Sequence, residues 1–414
     1  MYEHLLVAID NSRYAAQAAT AAVALARRFE ARLTGVHVTN PGLHGYAFRM
    51  LERTLPERYQ DERVLEQQRT IHESLIRRGL TLISDSYLEQ LRAHAAEAGV
   101  PCATKVLEGR HYEAQAEEIE RGDYQLAVFG HLGLGAGTQG TLGGVVERVA
   151  RRIRKDLLVV KDGPFRAREE RRTILVAVDG SEGSLLALRK ALALAQKFGA
   201  EVHAVHVFDP DFHRTIFREL VGVLTAEAAA VFDFESQQAL HDSVIDKGLE
   251  RVGGKLLRGC ELAADQAGVP IRTALARGKF AEEIVRAAAD LDPMLIIVGR
   301  FGKHRVESSD LGSTAENVLR FAPCSVLLAG TGMTATAAHR DPDVEEAPAP
   351  PGWSPQAEAM IGRAPDFVRN MARATVEAWA RERGLQQIDA PHVKQAMNEL
   401  LPEKMRHGIL KEES

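Results

Sequence analysis

LLVAIDNS at Leu5–Ser12 returns as ILVAVDGS at Ile174–Ser181. Each is a continuous apolar run that stops at an aspartate and passes into a serine. An apolar run without alternation suits a strand buried on both faces, as in a parallel sheet between two helix layers. The serine suits a helix N-cap, and Ser12–Phe29 is alanine-rich with apolar positions about 3.6 residues apart. The step that carries Asp10 onto Asp179 also carries His37 onto His206 and Gly99-Val100-Pro101 onto Gly268-Val269-Pro270. It carries Gly109 onto Gly278, and Gly130, Gly133 and Gly143 onto Gly299, Gly302 and Gly312. A constant step leaves no room for a net insertion. The chain is therefore read as two copies of one domain, about 1–165 and 171–330.

Within the first copy, Leu33–Val38, Ala103–Leu107, Gln125–Phe129 and Leu157–Val160 also have strand length and β-branched content. Longer amphipathic stretches separate them. This order predicts a five-stranded, doubly wound α/β domain with a parallel sheet, present twice. Each copy also carries a long segment between its second and third strands, about 40–98 and 209–267, in which IHESLIRRGL (Ile71–Leu80) matches LHDSVIDKGL (Leu240–Leu249). One or two extra amphipathic helices are expected in each, above the carboxyl ends of the strands or at the interface between the copies. Residues 331–352 hold four prolines (Pro342, Pro348, Pro350 and Pro351) and read as an extended linker. Residues 353–414 read as a small all-helical domain, with one helix over Asp366–Arg383 and another from Pro391 to about Leu401.

The 414 residues are 45% hydrophobic and 26% charged, which excludes a disordered or collagen-like chain. A net charge of −5 gives no basic excess for nucleic acid. Three scattered cysteines without a CxxC pair support neither a disulfide framework nor a zinc cluster. MYEHLLVAID lacks a basic leader, and stretches such as Met294–Val298 fall far short of the ~20 apolar residues of a membrane helix. A cytoplasmic protein without membrane contact is expected.

The chemistry-bearing motif follows the fourth strand of the second copy, where Gly299, Gly302, Gly312 and Ser313 spell G-x2-G-x9-G-S. Glycines allow backbone N–H groups close to phosphate oxygens, and Ser313 opens a helix whose dipole favours an anion. Strands one and four flank the switch point of such a sheet, so this loop meets Asp179 where ligands bind. A plain turn after a buried strand is the competing reading.

On these residues both copies resemble universal stress protein domains, and together they cover roughly four fifths of the chain. The phrases EEIVRAA (Glu282–Ala288) and APCSVLL (Ala322–Leu328) fit the resemblance too. It implies an ATP site, with magnesium left open. Asp179 and Val207 would contact adenine and ribose, and Gly299, Gly302, Gly312 and Ser313 would hold ribose and phosphates. In the first copy Asp10, Val38, Gly130, Gly133 and Gly143 occupy the same places, but Gly144 stands where a serine or threonine is expected. Loss of one neutral hydrogen bond is worth about 0.5–1.5 kcal/mol, so the first site should be the weaker. The resemblance further implies that the last strands, Leu157–Val160 and Ser325–Ala329, pair inside the chain as a pseudo-dimer. Dimerisation of whole chains is left open.

Residues from about 354 to 400 are similar to the small C-terminal domain of light-independent protochlorophyllide reductase subunits. The likeness rests on Pro365, Phe367, Val368, Arg369, Arg373, Glu377, Ala380, Arg381, Gly384 and Ile388. The reductase's cluster ligands have no counterpart here, so the resemblance implies an interaction element rather than reductase activity. Its apolar face, with Phe367, Val368 and Trp379, is expected to need burial against another surface.

The repeated pairs His37/His206, His44/His213 and His72/His241 read as hydrogen-bonded or surface histidines, with pocket lining or metal ligation as the alternative. Arg151, Arg152, Arg154 and Lys155 read as a solvated helix end, with anion steering as the alternative, and Cys324 as a packed thiol rather than a nucleophile. The function expected is a nucleotide-binding regulatory stress protein without assigned catalytic residues. The alternatives are a slow ATPase, with Asp310 and His241 as candidate groups, or a scaffold or binder of another small molecule.

Overall fold

The computed structural model describes residues 1–59, 61–135, 141–161, 173–210, 246–303, 311–330, 352–362, 373, 376, 377, 379, 380 and 383–400. The first copy runs β1 (His4–Ala8), α1 (Arg13–Phe29), β2 (Arg32–Thr39), α2 (Pro41–Leu51), α3 (Glu62–Glu97), β3 (Cys102–Glu108), α4 (His111–Arg121), β4 (Leu126–Gly130), α5 (Gly144–Arg152) and β5 (Asp156–Val160). The second runs β6 (Thr173–Ala177), α6 (Glu182–Phe198), β7 (Glu201–Phe208), α7 (Asp246–Ala267), β8 (Ile271–Arg277), α8 (Phe280–Leu291), β9 (Leu295–Gly299), α9 (Ser313–Phe321) and β10 (Val326–Ala329). Both repeats of the opening motif behave as their residues dictate. Ser12 accepts from Ala15 N at the start of α1, and Ser181 accepts from Ser184 N at the start of α6.

The ten strands join into one sheet in the order β3-β2-β1-β4-β5-β10-β9-β6-β7-β8. Each copy contributes five parallel strands, as the periodicity predicts. At the centre β5 and β10 run antiparallel, with Leu327 opposite Leu158 and Val326 opposite Val159. Two apolar edges that would otherwise invite foreign strands are thereby used on each other. One apolar layer packs α1, α3, α6 and α7 on one face of the sheet, and a second packs α4, α5, α8 and α9 on the other. Each layer crosses the seam without a break: Leu158 and Leu327 share the first, Val159 and Val326 the second.

Across the seam Arg151 meets Glu316 at 2.5 Å and Arg320 meets Glu147 at 3.1 Å. These are the same two residues of each copy, paired reciprocally. Arg151 is therefore an interface residue and not part of a solvated helix end, because the packing of α5 beside α9 supplies it with a carboxylate. Arg152 lies over the ring of Tyr112.

The extra segment of the first copy forms α2 and the 36-residue α3. Ser84, Leu88, Leu91 and Ala95 bury the C-terminal half of α3, and Gly35 of β2 admits Leu91, since a Cβ there would stand 2.2 Å from its Cδ2. The insertion thus covers the outer strands β2 and β3. For the first copy the alternative placement between the copies is corrected: the described seam is built from β5, β10, α5, α9, α1 and α6. In the second copy α7 takes the place of the C-terminal half of α3, and residues 211–245 lie outside the described residues.

The C-terminal residues belong to a separate compact unit. Its own core holds Ala357, Met360, Ile361, Val376, Trp379, Ala380, Ile388, Val393 and Ala396. Helices span Pro355–Gly362 and Ala390–Leu400, and Gly352–Trp353 pairs in parallel with Gln387–Ile388. Beside these helices, which bear out a small helical region, that ladder is only two residues long. It forms because Trp353 is drawn inward, its indole donating to Glu377 at 3.1 Å under the Arg373 guanidinium. Residues 331–351, Phe367, Val368 and most of the expected helix over 366–383 lie outside the described residues.

Candidate functional site

At the carboxyl end of β6 the chain leaves the sheet at Asp179. One carboxylate oxygen accepts from the amide and hydroxyl of Ser181 at 2.9 and 2.5 Å, and the other accepts from the amide of Lys303 at 3.1 Å. The aspartate therefore straps the loop after β9 to the turn before α6. Burial works to raise its pKa, but the hydrogen bonds from Ser181, Ser184 and Lys303 hold it below the usual carboxylate range.

Each glycine of the motif has a steric reason inside the chain. A Cβ on Gly299 would stand 2.6 Å from the carbonyl carbon of Gly183, so the first glycine lets α6 sit on the end of β9. A Cβ on Gly302 would stand 2.6 Å from Asp179 Oδ2, so the second lets the carboxylate reach the loop. Gly312 donates its amide to Arg300 O at 2.9 Å, and a Cβ there would stand a tight 3.0 Å from the same oxygen. This last bond closes the loop on itself. Gly312 then becomes the N-cap of α9 and offers no side-chain cap to the first turn. Those first-turn N–H groups and the Ser313 hydroxyl beside them are donors of the kind that can hold an anion.

Val207 is 6% exposed and packs in the sheet's apolar layer, so its side chain is a core group. Its backbone differs. In a parallel ladder the N–H and C=O of one residue face the same neighbour, and sides alternate along the strand. Val205 O accepts from Val178 N, so Val207 faces the same side, beyond the point where β6 has ended. Its peptide groups thus border the crevice. Val36 O accepts from Ile9 N in the same way, which places Val38 likewise in the first copy.

The first copy repeats the strap and changes the chemistry. Asp10 accepts from Ser12 N at 2.9 Å and Leu134 N at 3.3 Å, and a Cβ on Gly133 would stand 3.0 Å from its Oδ2. Gly130 lies under the backbone of Tyr14, and Gly143 donates to His131 O at 2.7 Å before capping α5. Leu134, 63% exposed, stands where the second copy has Lys303, and Gly144 where it has Ser313. The sequence reading compared only the serine position. The fuller signal was present: GHLGLGAGTQGTLGG (Gly130–Gly144) carries no lysine or arginine, whereas GRFGKHRVESSDLGS (Gly299–Ser313) carries Arg300, Lys303 and Arg305. Residues 136–140 and 304–310, with Asp310, lie outside the described residues, as do His213 and His241.

The remaining histidines follow the hydrogen-bonded or surface reading. His37 Nδ1 pairs with Ser84 Oγ at 2.8 Å, and His206 Nδ1 with Val178 O at 2.7 Å. His72 stacks on Phe48, and His44 is exposed. Cys324 is buried.

Residues 1–161 and again 170–330 match the model of the universal stress protein family, and the chain belongs to that family. Residues 353–396 match the model of the Proto-chlorophyllide reductase 57 kD subunit. A universal stress protein of Methanocaldococcus jannaschii is 34% identical over 155 residues, 37% of this chain and 79% of that protein. The crystal structure of a universal stress protein from Archaeoglobus fulgidus covers 80% of this chain and 98% of its own, with 17% identity and a TM-score of 0.49. A universal stress protein solved in complex with cAMP covers 39% of this chain and 97% of its own, with 21% identity and a TM-score of 0.26. Among the described residues no helix is long and apolar enough to cross a membrane.

Proposed function

We propose that this protein is a regulatory nucleotide binder whose second copy holds ATP. The observation that carries the reading is the uncapped start of α9 at Gly312-Ser313, opening beside the Asp179 strap at the carboxyl ends of β6 and β9. The donor set suits a polyphosphate: first-turn amides, a hydroxyl and the lysine of the loop. The backbone edge at Val207 suits an adenine base, which pairs with N–H and C=O groups. ATP would bring its own phosphate charge, and the chain's part is to bind and orient it. Both oxygens of Asp179 are engaged by the turn and loop, so its part is to shape the site.

The first copy keeps the strap and lacks the lysine and the serine, which supports a weaker site there. The C-terminal unit serves as an interaction element. Ligand released from purified protein and identified by mass spectrometry tests the first claim, with ATP or ADP as the expected mass. Titration of Gly312→Asp and Gly143→Asp variants tests the asymmetry, with the larger loss expected at Gly312. Equal losses would refute it. Truncation after Gly330 should keep nucleotide binding and change mass or partner capture; unchanged mass, partners and thermal stability would remove the role given to the tail.

A further inference from the structure

Arg300 follows the first glycine of the second copy's loop, and its carbonyl closes that loop by accepting from Gly312 N. Its side chain leaves the copy altogether. At 2% exposure it crosses the seam, Nη1 donating to Ala150 O at 2.5 Å and Nη2 to Lys155 O at 3.4 Å. Both carbonyls belong to the C-terminal end of α5 and the turn after it, in the first copy. Burial draws the guanidinium pKa down to about 10 against the pull of Asp156 and Glu120. The matching residue of the first copy, His131, pairs its Nδ1 with Val160 O of its own β5 at 3.2 Å. A second cation works in the opposite direction. Lys161, just past β5, donates to Arg320 O at 3.1 Å and Ala322 O at 2.7 Å, capping the C-terminal end of α9. The loop and helix that carry the second copy's proposed anion donors are therefore each gripped by the first copy, the loop at its start and α9 at its far end.

We propose that Arg300 is a positioning residue through which the first copy completes the ligand loop of the second, so that tight nucleotide binding by the second copy requires the two copies to be paired. The proposal rests on the nucleotide reading above. The physical ground is preorganisation: a loop held in its binding shape spends less entropy on ordering, and apparent affinity falls with the fraction of molecules holding that shape. Arg300 thus joins the loop closure through its carbonyl and the other copy through its side chain.

The test uses the full chain with Arg300→Met, which keeps the stem volume, Arg300→Lys, which keeps the charge, and Lys190→Met as a seam control. Lys190 is a second buried seam cation, on α6, that pairs with Asp156 at 2.7 Å and makes none of the loop's hydrogen bonds named above. ATP affinity is measured by calorimetry, and amide hydrogen exchange over 299–303 and 311–313 is followed without ligand. Arg300→Met should weaken ATP at least about tenfold and speed exchange in the loop, leaving β6 and β7 unchanged. Arg300→Lys should fall between, and Lys190→Met should lower thermal stability while keeping affinity and loop exchange. Wild-type affinity and loop exchange in Arg300→Met would overturn the proposal, as would equal effects from Lys190→Met. Failure of the wild type to take up ATP would overturn the nucleotide reading; the exchange difference separately decides whether Arg300 anchors the loop.

Discussion

Asp156→Asn is the most exacting test of the seam. Asp156 is 3% exposed at the start of β5, accepts from Tyr2 Oη at 2.6 Å and Gly330 N at 2.7 Å, and pairs with Lys190 Nζ at 2.7 Å. Lys190 is 5% exposed. The change to asparagine keeps the shape and removes the charge, leaving a buried ammonium without its partner, and it turns one oxygen into an NH2 that can no longer accept from Tyr2 Oη or Gly330 N. Breaking a buried pair from one side costs about 3–5 kcal/mol. The double variant Asp156→Asn with Lys190→Met removes both charges, and it should recover much of that loss. The coupling between the two sites should then amount to several kcal/mol, well above the ~0.5 kcal/mol within which distant substitutions add. Urea unfolding of the full chain measures the total, and hydrogen exchange at the β5 and β10 amides localises it. A loss below about 0.5 kcal/mol for Asp156→Asn, or a double variant equal to the sum of the singles, would show that the pair does not hold the seam.

Gly302→Ala should weaken ATP binding by roughly ten- to a hundredfold, since its Cβ would displace the Asp179 oxygen that takes the Lys303 amide, a charged hydrogen bond worth about 1.5–3 kcal/mol. Gly133→Ala should cost less, as its Cβ clears Asp10 by 3.0 Å; calorimetric titration that ranked the two the other way would contradict the geometry. Leu134→Lys with Gly144→Ser should strengthen the first site by about tenfold or more, the value of one or two restored polar contacts; titration on a Gly312→Asp background isolates it. Burial, and after it the neighbouring His111, lowers the His37 pKa below 6.5, so the unfolded chain takes up a proton that the folded chain refuses. The stability contributed by neutral His37 is then complete above that value and falls as pH drops through it. His37→Gln should flatten the denaturation profile on that limb, and an unchanged slope would remove His37 as its source.

The opening repeat was enough to establish two parallel α/β domains, because the pattern is local: a buried strand needs an unbroken apolar run, and a helix start needs a capping serine. The same locality made Gly299, Gly302, Gly312 and Ser313 legible as a loop entering a helix. It did not disclose why the glycines are there. Gly299 answers to Gly183 and Gly302 to Asp179, contacts between segments more than a hundred residues apart in the chain. Arg151 looked like any cation at a helix end until the packing of α5 beside α9 brought Glu316 to it. Arg300 and Lys161 gave no periodic or motif signal at all. Each acts on carbonyls of the other copy, and backbone carbonyls carry no sequence signature. Local periodicity and turn chemistry thus determined the fold of each copy, and the family resemblance the pairing of the last strands, while the tertiary structure alone decided the polar contacts across the seam, because these are made by main-chain acceptors and by charges whose partners only the folded chain brings within reach.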